Sequence, residues 1–123
     1  MSPVSPTNQT TAELVETFRV LALAKGAANL DGLIARYSRL YRQLEAIVAE
    51  LKARNGDQRR KLAEFYRHPD PQVRLDAAMA TLVIFPDDAR ATLQAIIDRR
   101  EFPQAADAGQ TLLYLKDGRF FPE

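Results

Sequence analysis

His68 is the only histidine in the chain, and cysteine is absent. A thiolate nucleophile, a disulfide and a cysteine-held zinc or iron–sulfur site are therefore excluded, and no two histidines stand at metal-binding spacing. A serine–histidine relay would have to run through His68. That residue stands in His68-Pro69-Asp70-Pro71, a helix-breaking run in which it suits a loop cap. Asp87-Asp88 is the one adjacent carboxylate pair that acid–base chemistry could use. It follows Pro86, however, and two acids at a helix start are explained by the positive end of the helix dipole. The glycines stand singly, so no phosphate-cradling loop is written in the chain. No catalytic residue, metal or cofactor is expected, and the reading is of a non-enzyme.

What remains is recognition by charge. Arginine presents a planar fork of donors that matches carboxylates and phosphates. Arg36, Arg39 and Arg42 recur every three residues, and Arg59, Arg60 and Lys61 form a second basic group. Residues 36–67 hold nine Lys or Arg against four acids, while residues 68–123 hold six against nine. The middle is thus about +5 and the following part about −3, although the whole chain is only +1. Such asymmetry can steer a charged partner; it also arises when solvated helix faces are filled with local pairs such as Arg42 with Glu45. The candidate partner-binding residues are Arg36, Arg39, Arg59, Arg60, Arg74 and Asp107.

These side chains must be positioned by helices. Apolar residues make up 46% and charged residues 27% of the 123 residues, the balance of one globular domain. Residues 1–9, with two prolines, read as a flexible leader. Thr10 and Glu13 form a capping-box pattern. It opens a helix with Leu14, Val15, Phe18, Leu21 and Ala22 inward, ending near Lys25-Gly26. Leu33, Ile34, Tyr37, Leu40, Tyr41, Leu44, Ile47, Val48 and Leu51 then mark a long amphipathic helix from about Leu30–Gly32 to Asn55-Gly56. Both tyrosines fall within its apolar stripe. Asp57 caps a third helix carrying Leu62, Phe65 and Tyr66. Asp70 and Pro71 open a fourth, with Val73, Ala77, Ala78, Leu82 and Val83 inward, which ends at Pro86. Leu93, Ile96 and Ile97 stripe a fifth. Pro103 opens a sixth with Leu112, Leu113 and Leu115, ending at Asp117-Gly118. No segment alternates as a strand would. No run approaches about 18 apolar residues, so no membrane span is expected. With no secretory leader and no cysteine, the expected location is the cytoplasm. The tail, residues 119–123, holds Phe120 and Phe121, placed either to cover the end of the helices or to dock on another subunit.

Two stretches repeat. Pro71-Gln72 recurs as Pro103-Gln104 after 32 residues, and Asp76-Ala77 recurs as Asp107-Ala108 after 31. A period in the low thirties is one helical hairpin, and stacked hairpins bury a core that one alone cannot. The run Asp70-Pro71-Gln72-Val73-Arg74-Leu75-Asp76-Ala77-Ala78 resembles the second helix of a HEAT repeat. From about residue 12 to 118 the chain resembles a bacterial family of short HEAT-like α-α superhelical proteins of uncharacterised function. That likeness rests on Leu51-Lys52-Ala53-Arg54, Gly56-Asp57-Gln58-Arg59-Arg60, Val73-Arg74-Leu75 and Phe102-Pro103-Gln104-Ala105-Ala106-Asp107-Ala108-Gly109. The resemblance implies a fold and brings no catalytic residue. In HEAT-like repeats the equivalents of Arg74 and Asp76 often bond between neighbouring hairpins. Some members of this wider class are suspected of acting as immunity proteins.

The expected architecture is all-α, an α-α superhelix of about three HEAT-like hairpins over residues 10–118. The expected function is a non-enzymatic protein-binding module, of the immunity, antitoxin or adaptor kind, for an unknown protein partner. The alternative is nucleic-acid binding through the basic segment 36–67, which would show a steep salt dependence.

Overall fold

The computed structural model describes residues 5–123, which are helical throughout, with no strand. They divide into two compact units, one up to residue 61 and one over residues 62–123. Of the leader expected over residues 1–9, the first four residues lie outside the described residues.

In the first unit α1 (Thr11–Leu30) packs on α2 (Ile34–Ala53). The capping box at the start of α1 is formed: the Glu13 amide donates to Thr10 Oγ1 and the Thr10 amide to Glu13 Oε1, both at 3.1 Å. The Thr10 amide foremost, and the Thr10 hydroxyl after it, hold the Glu13 carboxyl below its ordinary pKa. Contrary to expectation, α1 does not stop at Lys25-Gly26 but runs four residues further. Gly26 is buried in the helix, and the inward face continues through Lys25 and Ala28. Burial along that face outweighs the cost of an interior glycine, about 1 kcal/mol. The real stop is Gly32, at φ +70°. There the Gly32 amide donates to Asn29 O and the Leu33 amide to Ala28 O, the paired bonds of a left-handed C-cap.

Leu40, Leu44, Ile47 and Leu51 of α2 are buried, as are Leu14, Val15 and Phe18 of α1. Arg54, at the end of α2, pairs with Glu50 at 2.9 Å and also donates to Thr11 Oγ1 and to the carbonyls of Pro6 and Gln9. Pro6–Asn8 form a short 3-10 turn at this point.

The third expected helix is present as a ten-residue 3-10 helix, Gln58–Arg67, with Leu62 and Phe65 buried. It leads to α3 (Pro71–Thr81), α4 (Pro86–Asp98) and α5 (Gln104–Lys116). In the second unit α3 packs on α4, α4 on α5, and α3 also meets α5. Asp70 caps α3 by accepting from the Gln72 and Val73 amides, with Pro71 at the first helical position. Helix α3 ends at Thr81, short of Pro86, which instead opens α4 with Asp87 and Asp88 in its first turn. The intervening turn leaves Val83 exposed rather than inward. Leu75, Ala78, Leu82, Ala89, Leu93, Ile96, Ala105 and Ala108 form the core, against which Tyr66, Leu112 and Phe120 pack. Leu113, expected inward, faces out.

The repeat has a physical expression. Gln72 and Gln104, equivalent by sequence, are both buried, and Gln104 Nε2 donates to Gln72 Oε1 at 3.0 Å. Gln72 Nε2 in turn donates to both carboxylate oxygens of Asp76 at 3.2 Å. Beside them lies a clasp centred on Arg74. Its Nη1 and Nη2 reach Glu101 Oε1 and Oε2, each at 2.6 Å, and its Nε donates to His68 O at 2.7 Å. Nη2 also donates to Pro69 O. Glu101 is brought there by Arg100, which stands at φ +54°. Arg100 occupies the same left-handed cap position that glycine fills after α1, at a cost of about 1 kcal/mol.

The Glu101 carboxyl is held below its ordinary pKa, chiefly by the hydrogen bonds from Arg74. A depressed folded pKa stabilises the fold above the unfolded value, about 4.3 for glutamate, and that contribution is lost as pH falls through the folded value. Arg74→Ala is expected to cost about 2–3 kcal/mol, because it leaves a partly buried carboxylate unpaired. In urea titrations between pH 2 and 7, the stability gap between the parent chain and Glu101→Gln should be full above about pH 4.3 and close as the pH drops. A gap that persists unchanged at the acid end would show that the ion pair is not its source.

Candidate protein-interaction surface

The α1–α2 corner is built tightly. The cap that ends α1 also begins α2, so Leu33 serves both as the third residue past α1 and as the N-cap position of α2. A left-handed cap commonly buries the residue at that place against the last turn of the helix it closes. Here the last turn offers only Ala28, and Leu33 stays about half exposed. Its neighbours Leu30 and Ile34 are 72% and 80% exposed, so the hairpin tip is an apolar knob. As N-cap, Leu33 supplies no side-chain acceptor, and no acid stands in the first turn of α2. The first turn thus keeps uncapped amides at the positive end of the helix dipole.

From that end run Arg36, Arg39 and Arg42, all exposed. No acidic residue stands between Asp31 and Glu45. Steps of three residues turn each arginine by 60° from the last, so they sweep the polar side of α2 rather than stack in one line. Among the described residues none of the three enters an ion pair, and the pairing of Arg42 with Glu45 anticipated from the sequence is not formed. Tyr37 and Tyr41 stack at 6.4 Å between ring centroids, with the Nζ of the buried Lys25 at 5.7 and 5.2 Å from their rings. Tyr41 is therefore not the core residue the stripe suggested but about half exposed, and Tyr37 is partly buried. The α2 surface combines apolar contact area with uncompensated positive charge.

The other candidate residues divide. Arg59 is buried: its Nε and Nη2 reach the Asp57 carboxylate at 2.9 and 2.6 Å. Those bonds lower the Asp57 pKa, and Asp57 also accepts from the Arg59 amide. Arg59, the first of the basic group at this helix start, thus has its counter-ion two residues before it. Arg60 is exposed and donates to Asp57 O. Arg74 is spent within its clasp. Asp107 is exposed on α5, whereas its repeat equivalent Asp76 is buried, and Arg74 makes no bond to it. His68 is the loop cap expected of it, its Nδ1 accepting from the Asp70 amide at 3.0 Å.

A groove the sequence did not disclose lies in the second unit, between the 3-10 helix and α4. It encloses about 670 Å³, with Ala63, Ala91 and Ala95 leaving the space and Arg67, Asp88 and Arg99 among its walls. Tyr66 lines it, its hydroxyl bonded to Thr81 Oγ1 at 2.5 Å. Burial, and to a lesser extent the nearby Asp88, push the Tyr66 pKa up. A tyrosine so shifted stays neutral at ordinary pH and offers a hydrogen bond rather than a nucleophile. Among the described residues no three His, Asp or Glu side chains gather as a metal site, and no helix is long and apolar enough to cross a membrane.

Residues 12–116 match a family described as Domain of unknown function (DUF2019). No curated protein matches the chain. The chain is similar to the crystal structure of the protein RPA1889 from Rhodopseudomonas palustris CGA009, with 41% identity and a TM-score of 0.94. The match covers 98% of this chain and 100% of that one.

If the α2 knob is surface rather than core, Ile34→Ser should change unfolding stability by less than about 0.5 kcal/mol. Leu51→Ala, at a fully buried position of the same helix, should cost about 2–5 kcal/mol. Chemical denaturation of the two variants side by side reads the contrast directly.

Proposed function

We propose that this chain, which belongs to the family described as Domain of unknown function (DUF2019), is a non-enzymatic protein-binding module of the HEAT-like helical-repeat kind. The observation that carries this reading is the tip and polar side of α2. Leu30, Leu33 and Ile34 are exposed beside three arginines that have no ion-pair partner among the described residues. An apolar cluster supplies binding energy, and arginines on its rim supply orientation and steering. The partner surface that fits is apolar at its centre and acidic around it. An acidic side chain of the partner could also accept from the uncapped amides of α2. An immunity protein or an adaptor acting in the cytoplasm would work in this way, by covering a surface rather than transforming a molecule.

The same arginines give the nucleic-acid reading its specific support, since phosphates answer the same fork of donors. Against it, Arg54 and Arg59 of the basic segment are engaged within the chain, and the exposed leucine–isoleucine knob has no use on a phosphate backbone.

The two readings separate in a pull-down of the tagged chain from its native host at about 50 and 200 mM salt, the range over which phosphate contacts weaken steeply. The expected result is a stoichiometric protein partner that survives the higher salt. It should be lost with Ile34→Asp and weakened with Arg36→Glu plus Arg39→Glu. Nucleic acid that washes off at the higher salt would transfer the surface to the alternative. A protein partner indifferent to all three substitutions would sink the assignment to α2.

A further inference from the structure

We infer that the outer face of α5 is a self-association surface whose occupant is a second copy of this chain, paired antiparallel across a two-fold axis. This goes beyond the binding role of α2 and rests on residues of the second unit alone. Three large apolar side chains are exposed on α5 or in the segments that flank it. Phe102 precedes the helix at 68% exposure, Leu113 lies past its middle at 53%, and Phe121 follows it at 77%. The tail has divided its two aromatics: Phe120 packs on the core and Phe121 is left in water. Gly118, at φ +71°, turns the chain so that the amides of Arg119 and Phe120 both donate to Tyr114 O. The Arg119 guanidinium then lies over the Tyr114 ring, 5.8 Å from its centroid.

The face is complementary to itself. Ala106, Gln110, Leu113 and Asp117 follow one another at helical spacing along its centre line, and all four are exposed. A two-fold axis crossing midway between Gln110 and Leu113 sets each of these two against the other in the second copy. It also sets the Phe102 end of one helix against the partner's Phe121. Asp107 and Tyr114 are seven residues apart, so they lie on the same flank of α5. The two-fold operation reverses the helix direction and preserves the flank. Asp107 therefore comes up against the partner's Tyr114 and against the Arg119 of the partner subunit stacked on it. Among the described residues neither Asp107 nor Arg119 has an ion-pair partner. Closed symmetry produces the attraction twice, once for each copy.

A 13-residue helix is only about 20 Å long. The contact is therefore smaller than a standard interface, and the dimer belongs to the weak, reversible class. Sedimentation equilibrium of the full chain from about 10 µM to about 1 mM should show a monomer–dimer equilibrium within that range. Leu113→Asp and, in the tail, Phe121→Ser should each weaken it about ten-fold, with helicity and melting temperature preserved because both side chains are exposed. Asp107→Arg alone, or Arg119→Asp alone, places like charges together and should weaken it at least about five-fold. The double variant carrying both should recover association to within about three-fold of the parent. A chain that stays monomeric to 1 mM overturns the proposal. So does a dimer that ignores Leu113 and Phe121, or one whose charge-reversed variants are not rescued by the swap.

Discussion

The second unit depends on one guanidinium. Arg74 sits in the first turn of α3 with its side chain almost fully removed from water, a position that is costly for any charge not met on every side. Each donor it turns inward finds an acceptor: Glu101 twice, then the carbonyls of His68 and Pro69. Those acceptors come from two breaks in the helical chain. One is the proline-rich turn before α3, the other the left-handed turn after α4. Tying both turns to one rigid fork fixes where α3 and α5 begin relative to each other. That registration lets Gln72 and Gln104 meet in the interior. Without it, two buried amides would be left to find partners where there is no water to help.

Most of this fold is written locally. Thr10 with Glu13 and Asp70 with Pro71 state two helix starts, and the chain honours both as read. The misreadings share a cause. Gly26 looks like a stop, but a glycine ends a helix only where the backbone turns left-handed, and packing along α1 keeps it straight until Gly32. The segment 58–67 has helical spacing yet winds as a 3-10 helix, a choice between adjacent hydrogen-bond patterns that side-chain periodicity does not distinguish. Arg100 takes up a glycine's conformation, and its sequence gives no sign of that. Leu113 follows Leu82 by 31 residues, the spacing at which Asp76-Ala77 recurs as Asp107-Ala108, and Leu82 is buried, which made the exposure of Leu113 invisible from the pattern.

The surfaces were less legible, for electrostatic reasons. Six charged residues stood out by type and spacing, but type and spacing do not reveal who is already paired. Arg59 has its counter-ion two residues before it, and Arg74 has one 27 residues beyond it, across a turn whose shape had to be known first. Arg36 and Arg39 differ only in having no acid near. That fact was present in the sequence as the stretch without Asp or Glu between residues 31 and 45. The groove beside α4 had no signal at all, since three alanines read as helix formers and only the fold turns them into missing volume.

The hydrogen bonds from Gln104 through Gln72 to Asp76 have a direction. Both oxygens of Asp76 accept from the Gln72 amide nitrogen, so the Gln72 oxygen faces Gln104. That oxygen orients the second amide in its turn. Two side chains that could each be flipped in isolation are locked into a single sense by the acid on α3 at which the bonds end. The unit therefore carries a vector through its interior, running from the Gln104 nitrogen through Gln72 to the Asp76 carboxyl.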